Sequence, residues 1–152
     1  MSTKQAVFQI NGEDYGLDIE QINTIEKDLD IVKMANSPKN IKGKVNLRGN
    51  EIPVYSLKGK FGIPNENVGN NTRYLITNSG DLQIAIEVDS VKGIKDFDQS
   101  DLFDVPEVIK SSDTSYLKSI ACMDGELVLL LDSNKLLDSD ERKALETLKS
   151  KK

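Results

Sequence analysis

Few residues in this chain are equipped for covalent chemistry. It contains one cysteine, Cys122, and no histidine. A thiol becomes a nucleophile when a neighbouring base helps form its thiolate, and histidine is the usual base. In the apolar run Ile120-Ala121-Cys122-Met123, Cys122 therefore reads as a buried small hydrophobe on a strand. The missing histidine also removes the commonest metal ligand, general base and phospho-accepting group.

Carboxylates are abundant, and Asp96 to Glu107 tests as a calcium loop. With Asp96 first, Asp98, Ser100, Asp104 and Glu107 fall at oxygen-ligand positions, but Asp101 occupies the position that needs glycine for the sharp turn. A strand pattern and Pro106 replace the flanking helices, so the stretch reads as a solvated acidic loop. Gly59-Lys60-Phe61-Gly62 lacks the spacing of a phosphate-binding loop and reads as a turn. No pair of carboxylates lies in an apolar context that would separate their pKa values for acid and base work. No catalytic constellation is assembled and no cofactor or metal is implied, which leaves a binding module.

Arg48 stands out. The pattern places Val45 and Leu47 on one face of a strand and Asn46 and Arg48 on the other, between Gly43 and Gly49. A semi-buried guanidinium there needs a carboxylate, because an unpaired one would cost on the order of 3–5 kcal/mol. Its role is either to hold a loop or to face a partner.

The elements that position these residues are mostly strands. Ala6, Phe8 and Ile10, then Tyr15, Leu17 and Ile19, alternate across an Asn11-Gly12 turn and predict a hairpin. Extended pieces follow at Ile22 to Glu26 and Ile31 to Met34, and Ser37-Pro38 reads as a cap for a short helical turn. Lys44 to Arg48 and Glu51 to Ser56 predict two strands around a Gly49-Asn50 turn. The polar, turn-rich stretch over residues 62–71 marks the boundary between two halves. Beyond it, strands are expected at Thr72 to Thr77, Leu82 to Val88, Val91 to Phe97, Tyr116 to Met123 and Glu126 to Leu131. The last two join at Asp124-Gly125. About ten short strands and no exact internal repeat predict a barrel or a sandwich. Residues 138–152 predict a charged helix with a narrow stripe of Ala144, Leu145 and Leu148, frayed because it has little to bury.

Composition narrows the partners. At 152 residues, with 38% hydrophobic and 30% charged, the chain supports one compact globular unit with either one sizeable core or two small ones. A net charge of -5 disfavours nucleic acid and anionic membranes, so proteins are the expected partners. A small nucleic-acid-binding β-barrel is the competing class, opposed by that acidity and by 5% aromatic content. Leu127 to Leu131 is far too short to span a bilayer, and Met1 to Gln5 leads into a strand without a secretory apolar region. The expected location is the cytoplasm, without direct membrane insertion, in keeping with a lone cysteine.

Ala35-Asn36-Ser37-Pro38, Ile41-Lys42-Gly43, Asn46-Leu47-Arg48-Gly49, Ile52-Pro53-Val54 and Phe61-Gly62 occur in an order that resembles the CheW-type coupling proteins of bacterial chemotaxis. Tyr15 to Ile19, Val88 to Val91 and Lys135-Leu136-Leu137 extend the resemblance over about residues 5 to 137. It implies an all-β domain over residues 1–137, built as two packed five-stranded SH3-like barrels with short helices, and followed by a C-terminal helical tail. It implies an adaptor without enzymatic activity that bridges chemoreceptor cytoplasmic tips to the regulatory domain of the histidine kinase CheA. A non-motility chemosensory pathway is the alternative setting.

Carried over by position, Ile19, Ile22 and Thr24 match the kinase-binding region. Gly43, Arg48, Thr72, Ala85 and Ile94 match positions associated with receptor or kinase coupling. Three positions depart from the family pattern: Thr24 replaces a common glutamate, Ser56 an aspartate and Lys58 an arginine. Without the glutamate, Glu26, two residues on and on the same strand face, or nearby Glu51 is expected to pair with Arg48. The loop from Phe103 to Val108 also departs from the family, which leaves pairwise binding a firmer expectation than kinase–adaptor rings.

Overall fold

The computed structural model describes residues 2–33, 40–60, 71–80, 82–106, 116–137 and 139–150. Turn chemistry sets its hairpins. Strands β1 (Ser2–Ile10) and β2 (Glu13–Asp18) pair antiparallel with Ile10 opposite Glu13, leaving Asn11 and Gly12 at φ 54° and 82°. Two-residue turns that match strand twist need positive φ at both positions, and asparagine and glycine supply it at low cost. Asp124-Gly125 repeats the device at φ 55° and 79° between β10 (Leu117–Met123) and β11 (Glu126–Leu131).

The other strands are β3 (Ile22–Glu26), β4 (Ile41–Leu47), β5 (Asn50–Ser56), β6 (Arg73–Ser79), β7 (Leu82–Val88), β8 (Ser90–Asp98) and β9 (Leu102–Phe103). Helix α1 (Leu57–Lys60) follows β5, and α2 (Ser139–Ser150) ends the described chain. Short 3-10 turns occupy Ile19–Gln21, Gln99–Asp101 and Ser133–Lys135.

These strands form two closed units. In lobe A the order is β8-β1-β2-β11-β10-β9. Since β8 and β9 are joined by one short turn, they act as a single bent strand that pairs with both edges and closes the sheet. In lobe B the order is β3-β6-β7-β5-β4. Val32, a few residues beyond β3, closes it by exchanging two backbone hydrogen bonds with Lys44, 2.8 and 2.9 Å long. Each lobe has one parallel pair in the same place, β2 with β11 and β7 with β5, so the two topologies coincide. They are the two SH3-like barrels.

The lobes do not divide at residues 62–71. β5 and β6, which flank that stretch, both belong to lobe B. The chain instead crosses from lobe A to lobe B after β2 and returns after β7. A polar, turn-rich segment identifies a loop, but not which distant strands pair on either side of it. Residues 62–70 themselves, like the turn expected at Ser37-Pro38, lie outside the described residues.

Three apolar clusters hold the fold. Val7, Phe97, Ala121, Val128 and Leu130 fill lobe A, while Val45, Ile52, Val54, Tyr74, Ile76 and Ala85 fill lobe B. The largest cluster joins the lobes: Phe8, Ile10 and Leu17 meet Tyr55, Leu75 and Ile86. Each fully buried large apolar side chain contributes roughly 1.5–3 kcal/mol. Strands at this junction bury both faces, one toward a barrel interior and one toward the other lobe. That is why Val7 is as buried as Phe8, although alternation alone would place them in different environments.

α2 corrects a further expectation. Leu145 is 4% exposed within the central core and Glu141 is 7% exposed, so the helix is docked at these two positions. Leu145 finds its opposing surface at the lobe junction. Gln99 to Asp101 form a turn in which the Asp101 carboxylate accepts the Asp98 amide at 2.9 Å. That acidic side chain caps backbone.

Candidate functional site

Lobe B brings three of the expected site residues into one transverse row. Thr24 lies opposite Ile76, Ile76 opposite Ala85, Ala85 beside Val54, and Val54 opposite Gly43. The row crosses all five strands. Ala85 and Val54 are wholly buried, so neither is open to direct contact. Gly43 also has an internal reason: a Cβ there would collide with the Val32 carbonyl and reach 2.9 Å from Ile31 Cγ2. The glycine admits the strand that closes the barrel. Lobe A has a corresponding row, Val7, Gly16 and Leu130, where a Cβ on Gly16 would lie 2.7 Å from Leu130 Cδ2.

Thr24 is half-buried and its Oγ1 is buried without a hydrogen-bond partner. Ile19 lies in the 3-10 turn at the first lobe crossing, and Ile22 begins β3 with its side chain packed partly against the central core. Thr72 is buried just before β6. Ile94, by contrast, is 63% exposed on β8 of lobe A. Of the expected site residues, Arg48 and Ile94 are fully available to a partner, Ile19, Ile22 and Thr24 are partly available, and the others position backbone or core.

Arg48 differs from its expected setting. It occupies a turn, with Leu47 opposite Asn50 and with Arg48 and Gly49 at φ 53° and 87°. The Asn46 side chain holds this turn by accepting the Gly49 amide at 3.1 Å. Glu51 pairs instead with Lys44 at 3.1 Å, Glu26 lies opposite Tyr74, and no carboxylate among the described residues forms an ion pair with Arg48. The physical reason is exposure. A guanidinium at a turn tip is solvated and needs no carboxylate, whereas the strand assignment made it semi-buried.

Sequence reasoning missed the polar groups at the two lobe crossings. Asp89, between β7 and β8, accepts the Asn11 amide at 2.8 Å and pairs with Lys58 at 2.9 Å. It thereby ties the β1–β2 turn to α1. At the other crossing, the Thr77 hydroxyl donates to the Gln21 carbonyl, and Ser133 Oγ donates to Gln21 Oε1 at 2.9 Å. The available signal was the placement of Asp89 in the Val88 to Val91 stretch.

Two charged groups reinforce the barrels. Glu87 accepts Lys42 at 2.7 Å, and burial together with Glu87 pushes the Tyr74 hydroxyl pKa up to about 12. Burial opposes ionisation of Asp14, but hydrogen bonds from Gln9 and Lys92 outweigh it and hold this carboxyl below its usual range. Among the described residues, no group of three or more potential ligands could hold a metal ion. Cys122 is half-buried on β10 opposite exposed Leu127, not enclosed as its apolar neighbours suggested. No described helix is long and apolar enough to cross a membrane.

Comparison with known proteins gives a consistent result. A family model described as CheW-like domain matches residues 5–141. The chemotaxis protein CheW of Klebsiella aerogenes is 30% identical over 135 residues, covering 89% of this chain and 81% of that protein. The chemotaxis protein CheW of Helicobacter pylori is 30% identical over 133 residues, covering 88% and 80%. The crystal structure of the scaffolding protein TtCheW from Thermoanaerobacter tengcongensis matches with TM-score 0.80 and 31% identity, covering 87% of this chain and 90% of that one. With a family model spanning nearly all of both barrels, the chain belongs to the CheW-like family of non-catalytic chemotaxis scaffolds.

Proposed function

We propose that this chain works in the cytoplasm as the coupling element between chemoreceptor cytoplasmic tips and the regulatory domain of a CheA-type histidine kinase. The observation that carries this reading is the distribution of available residues over two directly packed lobes. Arg48 protrudes from lobe B and Ile94 from lobe A, while Ile19, Ile22 and Thr24 line the first crossing between them. A binder with separated contact surfaces can hold two partners at once, and its fixed geometry lets a shift in one bias the state of the other. Gly43, Thr72 and Ala85 support those surfaces from inside lobe B.

Arg48→Gly and Ile94→Ser test this reading without disturbing the fold, since one suits a positive-φ turn and the other lies on the surface. Binding of each variant to a receptor-tip fragment and to the kinase regulatory domain is measured by calorimetry. A tenfold or greater loss toward at least one partner, roughly 1.4 kcal/mol, is expected from either substitution. Parent-like binding of both variants to both partners would remove these contacts from the site, and absence of binding by the parent would overturn the function.

A further inference from the structure

We propose that α2 is an inter-lobe strap, tethered to lobe A and seated on lobe B, that sets the angle between the two barrels. After β11 the chain leaves lobe A through Asp132, whose carboxylate accepts the Asn134 amide at 3.0 Å. The following turn lies against the end of β6, where Asn134 Oδ1 accepts the Gly80 amide at 2.9 Å. Leu136 and Leu137 then enter the central core. The chain has by this point crossed between lobes for a third time.

The anchors of α2 itself are on lobe B. Arg142 donates from Nη1 to the Ser79 carbonyl and from Nη2 to Ser79 Oγ, both at 2.9 Å, and its Nη2 reaches the Asn134 carbonyl at 3.4 Å. One guanidinium thus grips the end of β6 and the turn that tethers the helix. Glu141 accepts the Tyr55 hydroxyl at 2.9 Å and the Asn40 side-chain amide at 3.0 Å. A buried carboxylate and a multiply bonded arginine are costly to displace, because displacement leaves buried polar groups unpaired.

Geometry makes this arrangement a strap rather than a surface ornament. Each barrel closes through its own strand pairing without α2, whereas the helix is tied through the chain to β11 of lobe A and through side chains to Tyr55 and Ser79 of lobe B, beside the apolar contact that the lobes make directly. Loosening the helix should therefore leave the barrels intact and widen the range of angles between them. Its bearing on coupling, through the spacing of Arg48 and Ile94, rests on the function proposed above; the test of the strap does not.

The test uses the full chain and no partner. Spin labels are attached at Lys27→Cys in lobe B and Lys118→Cys in lobe A, both exposed, in a Cys122→Ser background. Their distance distribution is read by pulsed dipolar spectroscopy, with and without Arg142→Ala. The expected result is a broader or displaced distribution together with about tenfold faster hydrogen exchange at the Gly80 amide, while amides within each barrel keep their protection. An unchanged distribution overturns the proposal, as does loss of protection throughout both barrels in a still-folded variant. Should Arg142→Ala fail to fold, Ser79→Ala, which removes one hydroxyl, is read by the same criteria. Failure of partner binding would count against the proposed function and leave this result standing.

Discussion

The carbonyl oxygen of Val32 lies over Gly43, in the space that a side-chain methyl would occupy. That contact closes lobe B, since Val32 and Lys44 exchange both of their backbone hydrogen bonds. The obstacle is backbone, which cannot swing aside as a flexible side chain would.

Gly43→Ala should consequently destabilise the protein by about 1–3 kcal/mol, the range expected for an overpacked site. Urea unfolding measures the loss, and hydrogen exchange at Lys44 locates it. Unchanged stability with unchanged protection at Lys44 would show that the closure is more pliant than its geometry.

Thr24→Val is expected to act in the opposite direction. The Thr24 hydroxyl is buried without a hydrogen bond, and valine keeps the shape while removing the unsatisfied group. Stability should rise by about 1 kcal/mol. A rise accompanied by weaker kinase binding would assign the hydroxyl to the partner, whereas a fall in stability would refute the geometry given for this residue.

Asp89 and Lys58 should be unequal although they form one ion pair. Lys58→Ala loses a partly exposed pair, worth under about 1 kcal/mol. Asp89→Ala also removes the acceptor of the exposed Asn11 amide, so its cost should be larger by about 0.5–1.5 kcal/mol. Equal losses from the two substitutions would contradict this ranking.

Stability should fall at both ends of the pH range. The Asp14 carboxyl is depressed in the folded state, so its contribution is present above the unfolded value near 3.8 and disappears as pH drops through the folded one. Tyr74 is raised to about 12 from 10.0, so its contribution is complete below pH 10 and is lost as pH climbs toward 12. Melting curves of the parent and Tyr74→Phe between pH 9 and about 12 isolate this alkaline term; parallel curves would dismiss it.

Local chemistry was legible in the sequence, and long-range pairing was not. Asn11-Gly12 and Asp124-Gly125 announce their turns because each dipeptide tolerates positive φ at both positions. Gly49 marks its turn as well, but it can serve as either turn position. The choice of Gly49-Asn50 over Arg48-Gly49 moved Arg48 from an exposed tip onto a strand and created a need for a carboxylate. The family resemblance supplied Thr24, Gly43 and Ala85, yet their common row depends on β3, β7 and β4 meeting across β6 and β5. The seat of α2 was hidden for the same reason, since Tyr55 and Ser79 are far from Glu141 and Arg142 in sequence.

The interleaved path of the chain also constrains how the protein can be made. The β1–β2 hairpin leaves the ribosome before the other strands of the two barrels, and its neighbours β8 and β11 follow all of lobe B. At about 5–20 residues per second, it waits on the order of ten seconds for its barrel. Lobe B, whose strands all lie between Ile22 and Val88, can close meanwhile and offer the waiting hairpin an apolar surface. Lobe B is thus the first barrel whose strands are all available to pair, although lobe A contains the first hairpin.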